Sequence, residues 1–216
     1  MSDMHSAVTK WLATAPILGA SLLLVITGLF VSNGHLTEIS RNYAPPGQTL
    51  YLLSKITAIF VYTLMWWQIM AGIITKVKKQ LHTLLGMGVF TLIIIHVILF
   101  ISAVSIRQDE LSLGMLLPNF SSDYYKTGMS FGVMALFFIF IATLTGIFRK
   151  RLKNHWKLGH SFVYVTFALA TVHGLMIGSD INSDGLSYFI YGAVISLILA
   201  FVYKKGKHLL RNRCFQ

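Results

Sequence analysis

Six runs of mainly apolar residues, at about 12–31, 50–74, 82–105, 128–148, 157–177 and 187–203, leave this chain little choice of fold. A helix needs about 20 apolar residues to cross a bilayer. Within the hydrocarbon, helices and closed barrels are the structures that satisfy every backbone N–H and C=O. Barrel strands need only about ten residues, so runs this long are read as helices. The expected fold is an all-α integral membrane protein, a bundle of six transmembrane helices forming a single domain over 1–216. Composition agrees, with 12% charged residues against the roughly 25% usual for soluble domains. The first run is too long for a signal-peptide core and no small-residue cleavage site follows it, so it is expected to be a retained helix.

The formal charge of +11 is explained by where the basic residues fall. Lys10, the loop Lys76, Lys78 and Lys79, the loop Arg149, Lys150, Arg151, Lys153 and Lys157, and the tail Lys204, Lys205, Lys207, Arg211 and Arg213 share one side of the predicted bundle. Glu38, Asp109, Glu110, Asp123, Asp180 and Asp184 share the other. Basic loops stay in the cytoplasm, which predicts both termini cytoplasmic in a bacterial inner membrane. This distribution makes nucleic acid an unexpected partner and membrane lipid the expected surroundings. No acidic residue lies inside a span, and Lys55 is the one charge well within the second.

Several chemistries are excluded. The lone cysteine, Cys214, rules out an internal disulfide, a four-cysteine iron–sulfur site and C-x-x-C-H haem attachment. There is no Ser-His-Asp set, HExxH motif, paired carboxylates or phosphate-binding glycine loop. No α/β segment could bind a nicotinamide cofactor.

Four histidines remain to be explained. His82 and His96 lie along the third run, His160 and His173 along the fifth. Intramembrane ionisable residues default to a functional reading. The spacings of fourteen and thirteen residues correspond to about 21 and about 20 Å of helix. Each helix therefore offers one imidazole at each of two matching depths, as two stacked haems between the third and fifth helices require. Helix bundles place cofactors between facing side chains, and neutral imidazole is a common iron ligand. The competing reading of each histidine is an interhelical hydrogen bond. His96 falls within about 40° of the face of His82, whereas His173 falls about 140° from His160 on an ideal helix. A helix distortion, or approach to the two sites from different sides, is needed. Rotation alone prefers His155, whose depth does not match. Gly86, Gly88, Gly146, Gly159 and Gly174 could admit a macrocycle or simply allow close helix packing. Trp66, Trp67 and Trp156 fit an interfacial aromatic belt. Lys157 and Arg149 are the expected propionate contacts, and the basic loop 149–157 could also dock an acidic flavoprotein.

Histidines at this spacing on a third and a fifth span, within LHTLLGMGVFTLIIIH and RKRLKNHWKLGHSFVYVTFALATVHGL, resemble the ferric reductase-like transmembrane domain superfamily. That superfamily includes ferric reductases, NADPH oxidases and the haem-binding membrane subunit of the periplasmic methionine sulfoxide reductase system. Tyr203-Lys204-Lys205 is similar to the last of these, whose pattern has a basic residue where His82 stands here. The resemblance covers all six spans. It implies two b-type haems, the inner on His82 and His160 and the outer on His96 and His173, passing electrons outward. Larger members continue into FAD and NADPH domains, and this sequence stops at Gln216. The expected donor is thus a separate cytoplasmic flavin reductase or quinol, and the acceptor ferric iron or a periplasmic redox protein. A quinol-oxidising cytochrome subunit and a non-redox membrane scaffold are the rival readings.

Overall fold

The computed structural model describes residues 45–74, 79–178 and 186–213, with side chains to Gly206. The long helices are α1 (Gln48–Ile74), α2 (Lys79–Gln108), α3 (Tyr124–Ile147), α6 (Phe162–Ile177) and α7 (Leu186–Arg213), with the short α4 (Arg149–Leu152) and α5 (Trp156–His160) between α3 and α6. A 3-10 turn, Leu113–Leu116, lies between α2 and α3, and no strand occurs among the described residues. Five described helices are long and apolar enough to cross a membrane, with α5 and α6 counted as one, Trp156–Ile177. They match the last five expected runs, in the pattern of a multi-pass membrane protein. The expected first span, 12–31, lies outside the described residues.

The helices form two antiparallel hairpins. α1 packs along α2, α3 packs along α5 and α6, and α7 closes against α1. The hairpins meet where α2 touches α3 and α1 touches α6. The shared core is apolar: Val61, Met65, Ile69 and Ile73 of α1, Val89 of α2, Phe167 of α6, and Ala193, Leu197 and Ala200 of α7. Large side chains such as Ile98, Phe137, Tyr188, Ile198 and Leu199 face outward and are exposed, as lipid-facing positions require. Trp66 donates its Nε1–H to Ser196 Oγ (3.0 Å) and ties α1 to α7.

Local chemistry sets the helix ends. Gly47, at φ +76°, turns the chain into α1 beside the Ala103 backbone of α2. Asp123 caps α3, its carboxylate accepting from Tyr125 N (2.9 Å) and Lys126 N (3.1 Å); an anionic cap also suits the positive end of the helix dipole. The Pro118-Asn119 corner is held down by Asn119 N–H donating to Ser130 Oγ.

The fifth expected run is broken at Ser161. Ser161 N–H reaches both Lys157 O (3.0 Å) and Leu158 O (3.2 Å), and Tyr164 N–H returns to Ser161 O (3.1 Å). Each residue in such 3-10 geometry turns the chain by about 20° more than an α residue does. The helix is thus distorted immediately after His160, in the direction that reduces the mismatch of about 140°, by roughly 40–60° for two or three such residues.

Candidate functional site

Each hairpin carries its histidines on the second helix and holds them from the first. On α6, His173 Nδ1 lies 2.9 Å from the Gly128 carbonyl of α3. At α5, His160 Nδ1 lies 3.1 Å from the Ala142 carbonyl of the same helix. On α2, His96 Nδ1 lies 2.9 Å from the Ser54 carbonyl of α1 and 3.0 Å from Ser54 Oγ. A carbonyl can only accept, so these three rings carry their proton on Nδ1. The remaining nitrogen, Nε2, is the one that can bind a metal. Metal-ligating histidines are commonly fixed in this way, through the other ring N–H on a carbonyl or carboxylate.

The supports repeat with the register of the histidines. Ser54 and Gln68 on α1 are fourteen residues apart, as are His82 and His96 on α2. On α3, Gly128 and Ala142 are fourteen apart, and so are Gly132 and Gly146. A Cβ on Gly132 would stand 2.6 Å from the His173 ring, and one on Gly146 3.4 Å from His160 Nδ1. Gly132, one turn beyond the Gly128 carbonyl, makes room for the His173 ring, whereas a Cβ on Gly146 would make ordinary van der Waals contact with His160.

His82 is held differently. The Gln68 amide of α1 donates to the His82 carbonyl (3.0 Å) and reaches Nδ1 only at 3.4 Å, a poor hydrogen-bond length. Among the described residues, the His82 backbone is anchored and no partner sets its tautomer. Its ring meets His160 with centroids 5.9 Å apart and planes at 75°. An imidazole nitrogen sits about 2 Å from a bound metal, with the ring centroid roughly 1 Å further, so two rings flanking one metal have centroids about 6 Å apart. His155, the alternative to His160, is exposed at the start of α5.

His96 and His173 line a cavity of about 250 Å³ between the hairpins, with Gly132, Ile93, Leu136, Tyr62 and Met65 among its walls. His82 and His160 lie outside it. Between the two pairs, Tyr62 stacks on Phe167 at 4.8 Å and its hydroxyl is 2.9 Å from Thr171 Oγ1. Arg149 is half-buried at the start of α4 and Lys157 is exposed on α5. Neither is among the residues that line the cavity.

A family model described as "Domain of unknown function (DUF8596)" matches residues 48–180. The chain belongs to the DUF8596 family. No curated protein and no solved structure matches it. The DUF8596 segment begins with α1 and ends just past α6, so it contains both hairpins, all four histidines and every support described above. The family segment and the histidine framework are one unit, with α7 packed on its flank.

Sequence reading reached the four histidines and missed what holds them: Ser54, Gln68, Gly128, Gly132 and Ala142. The available signal was the fourteen-residue interval, repeated on α1 and α3 among residues that are individually unremarkable in a membrane helix.

Proposed function

We propose that this DUF8596 protein is a transmembrane b-type cytochrome that passes electrons between two haems, one held by His82 and His160 and the other by His96 and His173. The observation that carries this reading is the double pairing of imidazoles, three of them with Nδ1 committed to a backbone carbonyl. Among the described residues no group of three or more His, Cys, Asp or Glu gathers. Two imidazoles fall short of the four ligands of a structural zinc site, but suffice for a macrocycle that brings its own four equatorial nitrogens. A bound haem supplies one-electron redox chemistry, while the protein supplies axial ligands, low dielectric and position. Gly132 leaves the His173 ring close against α3, and the Ala142 carbonyl holds the His160 ring there. The mainly apolar walls of the cavity give the His96–His173 pair low-dielectric surroundings. The resemblance to the ferric reductase-like transmembrane domain supports the same reading.

In this reading the basic end of the bundle, with Arg149, Lys150, Arg151, Lys153 and Lys157 beside His160, is cytoplasmic and receives electrons from a flavoprotein reductase. The opposite end, with Asp109, Glu110 and Asp123, faces an external acceptor. The test is an optical spectrum of the full chain, purified in detergent after expression with ample haem. Two b-type haems per chain are expected. H82A/H160A should retain one, H96A/H173A the other, and the quadruple variant none. A colourless wild-type protein, or full haem content in the quadruple variant, rules the reading out.

A further inference from the structure

Lys55 is a charged residue of α1 that lies outside the histidine supports described above. It sits in the wall of the cavity that holds His96 and His173, next in sequence to Ser54, whose carbonyl holds His96. Ionisable residues at such depth face cavities or partners rather than lipid. Its Nζ lies 4.8 Å from the centroid of the Tyr51 ring. The Arg107 guanidinium, from the last turn of α2, lies 5.5 Å from the same ring. Arg107 is itself aimed, one terminal nitrogen donating to Gln48 Oε1 at 3.0 Å. Tyr51 and Lys55 line the cavity together with Met115 and Leu116 of the 3-10 turn.

We propose that Tyr51, Lys55 and Arg107 form a carboxylate-binding mouth on the cavity that holds His96 and His173. Two cations share one aromatic ring, one of them in the cavity wall. Arg107 offers a planar fork suited to bidentate carboxylate recognition and Lys55 a compact point charge. The Tyr51 ring holds both cations through its face, which keeps them near the opening rather than spread into solvent. Two sources present this chemistry: the propionates of a haem seated between His96 and His173, and a carboxylate-bearing acceptor arriving from outside. The first source rests on the function proposed above; the second does not require haem in order to bind.

The experiment compares wild type with R107Q, K55Q/R107Q and the control K126Q, which removes an exposed cation from the same end of the bundle. Haem content, redox titration and the rate at which pre-reduced protein is oxidised by ferric citrate and by hexaammineruthenium(III) are measured. In each oxidation one electron leaves the protein and one metal(III) complex becomes metal(II). If propionates occupy the mouth, K55Q/R107Q loses or shifts one of two titrating haems and leaves the other in place. If an external carboxylate does, haem content and titration match wild type, while oxidation by ferric citrate slows about tenfold and oxidation by the cationic ruthenium complex does not. Wild-type behaviour of R107Q and K55Q/R107Q in every measurement overturns the proposal. If the wild-type protein binds no haem, the cytochrome reading fails and the mouth is tested alone by the melting midpoint in citrate. Citrate stabilisation of wild type but not of K55Q/R107Q supports it, and an equal response overturns it.

Discussion

The His173 ring occupies the space that a side chain on Gly132 would need: a Cβ there would come within 2.6 Å of the ring atoms. One turn earlier on α3, the Gly128 carbonyl accepts from His173 Nδ1. A single stretch of helix thus supplies both the hydrogen bond and the clearance for one histidine.

Gly132→Val should therefore displace His173. The expected outcome in haem-loaded protein is loss of one of two haems, read as a halved haem content in the optical spectrum. Gly72→Ala, where a Cβ meets nothing within 4 Å, is the contrasting change. It should leave haem content intact and stabilise the helix by up to about 1 kcal/mol, as replacement of a helix-interior glycine by alanine does.

Ser54 makes two kinds of contact with His96. Ser54→Ala removes the hydroxyl, which lies 3.0 Å from Nδ1 and donates to the His96 carbonyl at 3.2 Å. It leaves the backbone acceptor at 2.9 Å in place. Losing a supporting partner typically costs a bound metal 10–100-fold in affinity. With the carbonyl retained, the expected weakening is at or below about tenfold, measured as haem loss on dilution into apomyoglobin. A loss of the outer pair's haem as complete as in H96A would show that the hydroxyl, not the carbonyl, orients the ring.

Gln68→Leu should act on the other pair. Gln68 anchors the His82 backbone, and among the described residues no carbonyl is shown fixing the ring as one fixes the other three. The His82–His160 haem is expected to exchange faster than its partner in wild type and to be lost first in Q68L. Stepwise haem transfer resolves the order, and the reverse order would count against the weaker hold assigned to His82.

Inserting one alanine after Ser161 restores a fourteen-residue interval between the histidines of the fifth run. It also shifts α6 by about 100° and about 1.5 Å relative to His160. The structure already accommodates thirteen residues through the break at Ser161, so the insertion should abolish one haem site rather than improve it. Retention of both haems would mean that the Ser161 turn absorbs register freely.

Much of this arrangement was legible in the chain itself. Runs of about twenty apolar residues become helices in lipid because no other open structure satisfies the backbone there, and the last five expected spans correspond to α1, α2, α3, α5–α6 and α7. The depth of each histidine along its helix was equally readable, because helical rise depends on residue count alone. The rotation at His160 was not, because it depends on a break whose hydrogen bonds run between Lys157, Leu158, Ser161 and Tyr164. Trp66 shows the same limit: nothing in its local sequence names its partner Ser196, 130 residues away, through which it ties α1 to α7.

By itself, then, the sequence determined that the described chain is a set of apolar helices, that basic residues gather at one end, and that two of the runs carry imidazoles at two depths. These follow from composition and from periodicities that hold within one helix. Only the tertiary structure decided that His82 meets His160 rather than His155, that Ser54, Gly128 and Ala142 present their carbonyls to the rings, and that Lys55 and Arg107 converge on Tyr51. Each of these depends on how α1 lies against α2 and α3 against α5 and α6. A carbonyl or a glycine carries no distinguishing mark in sequence until a second helix brings a ring against it.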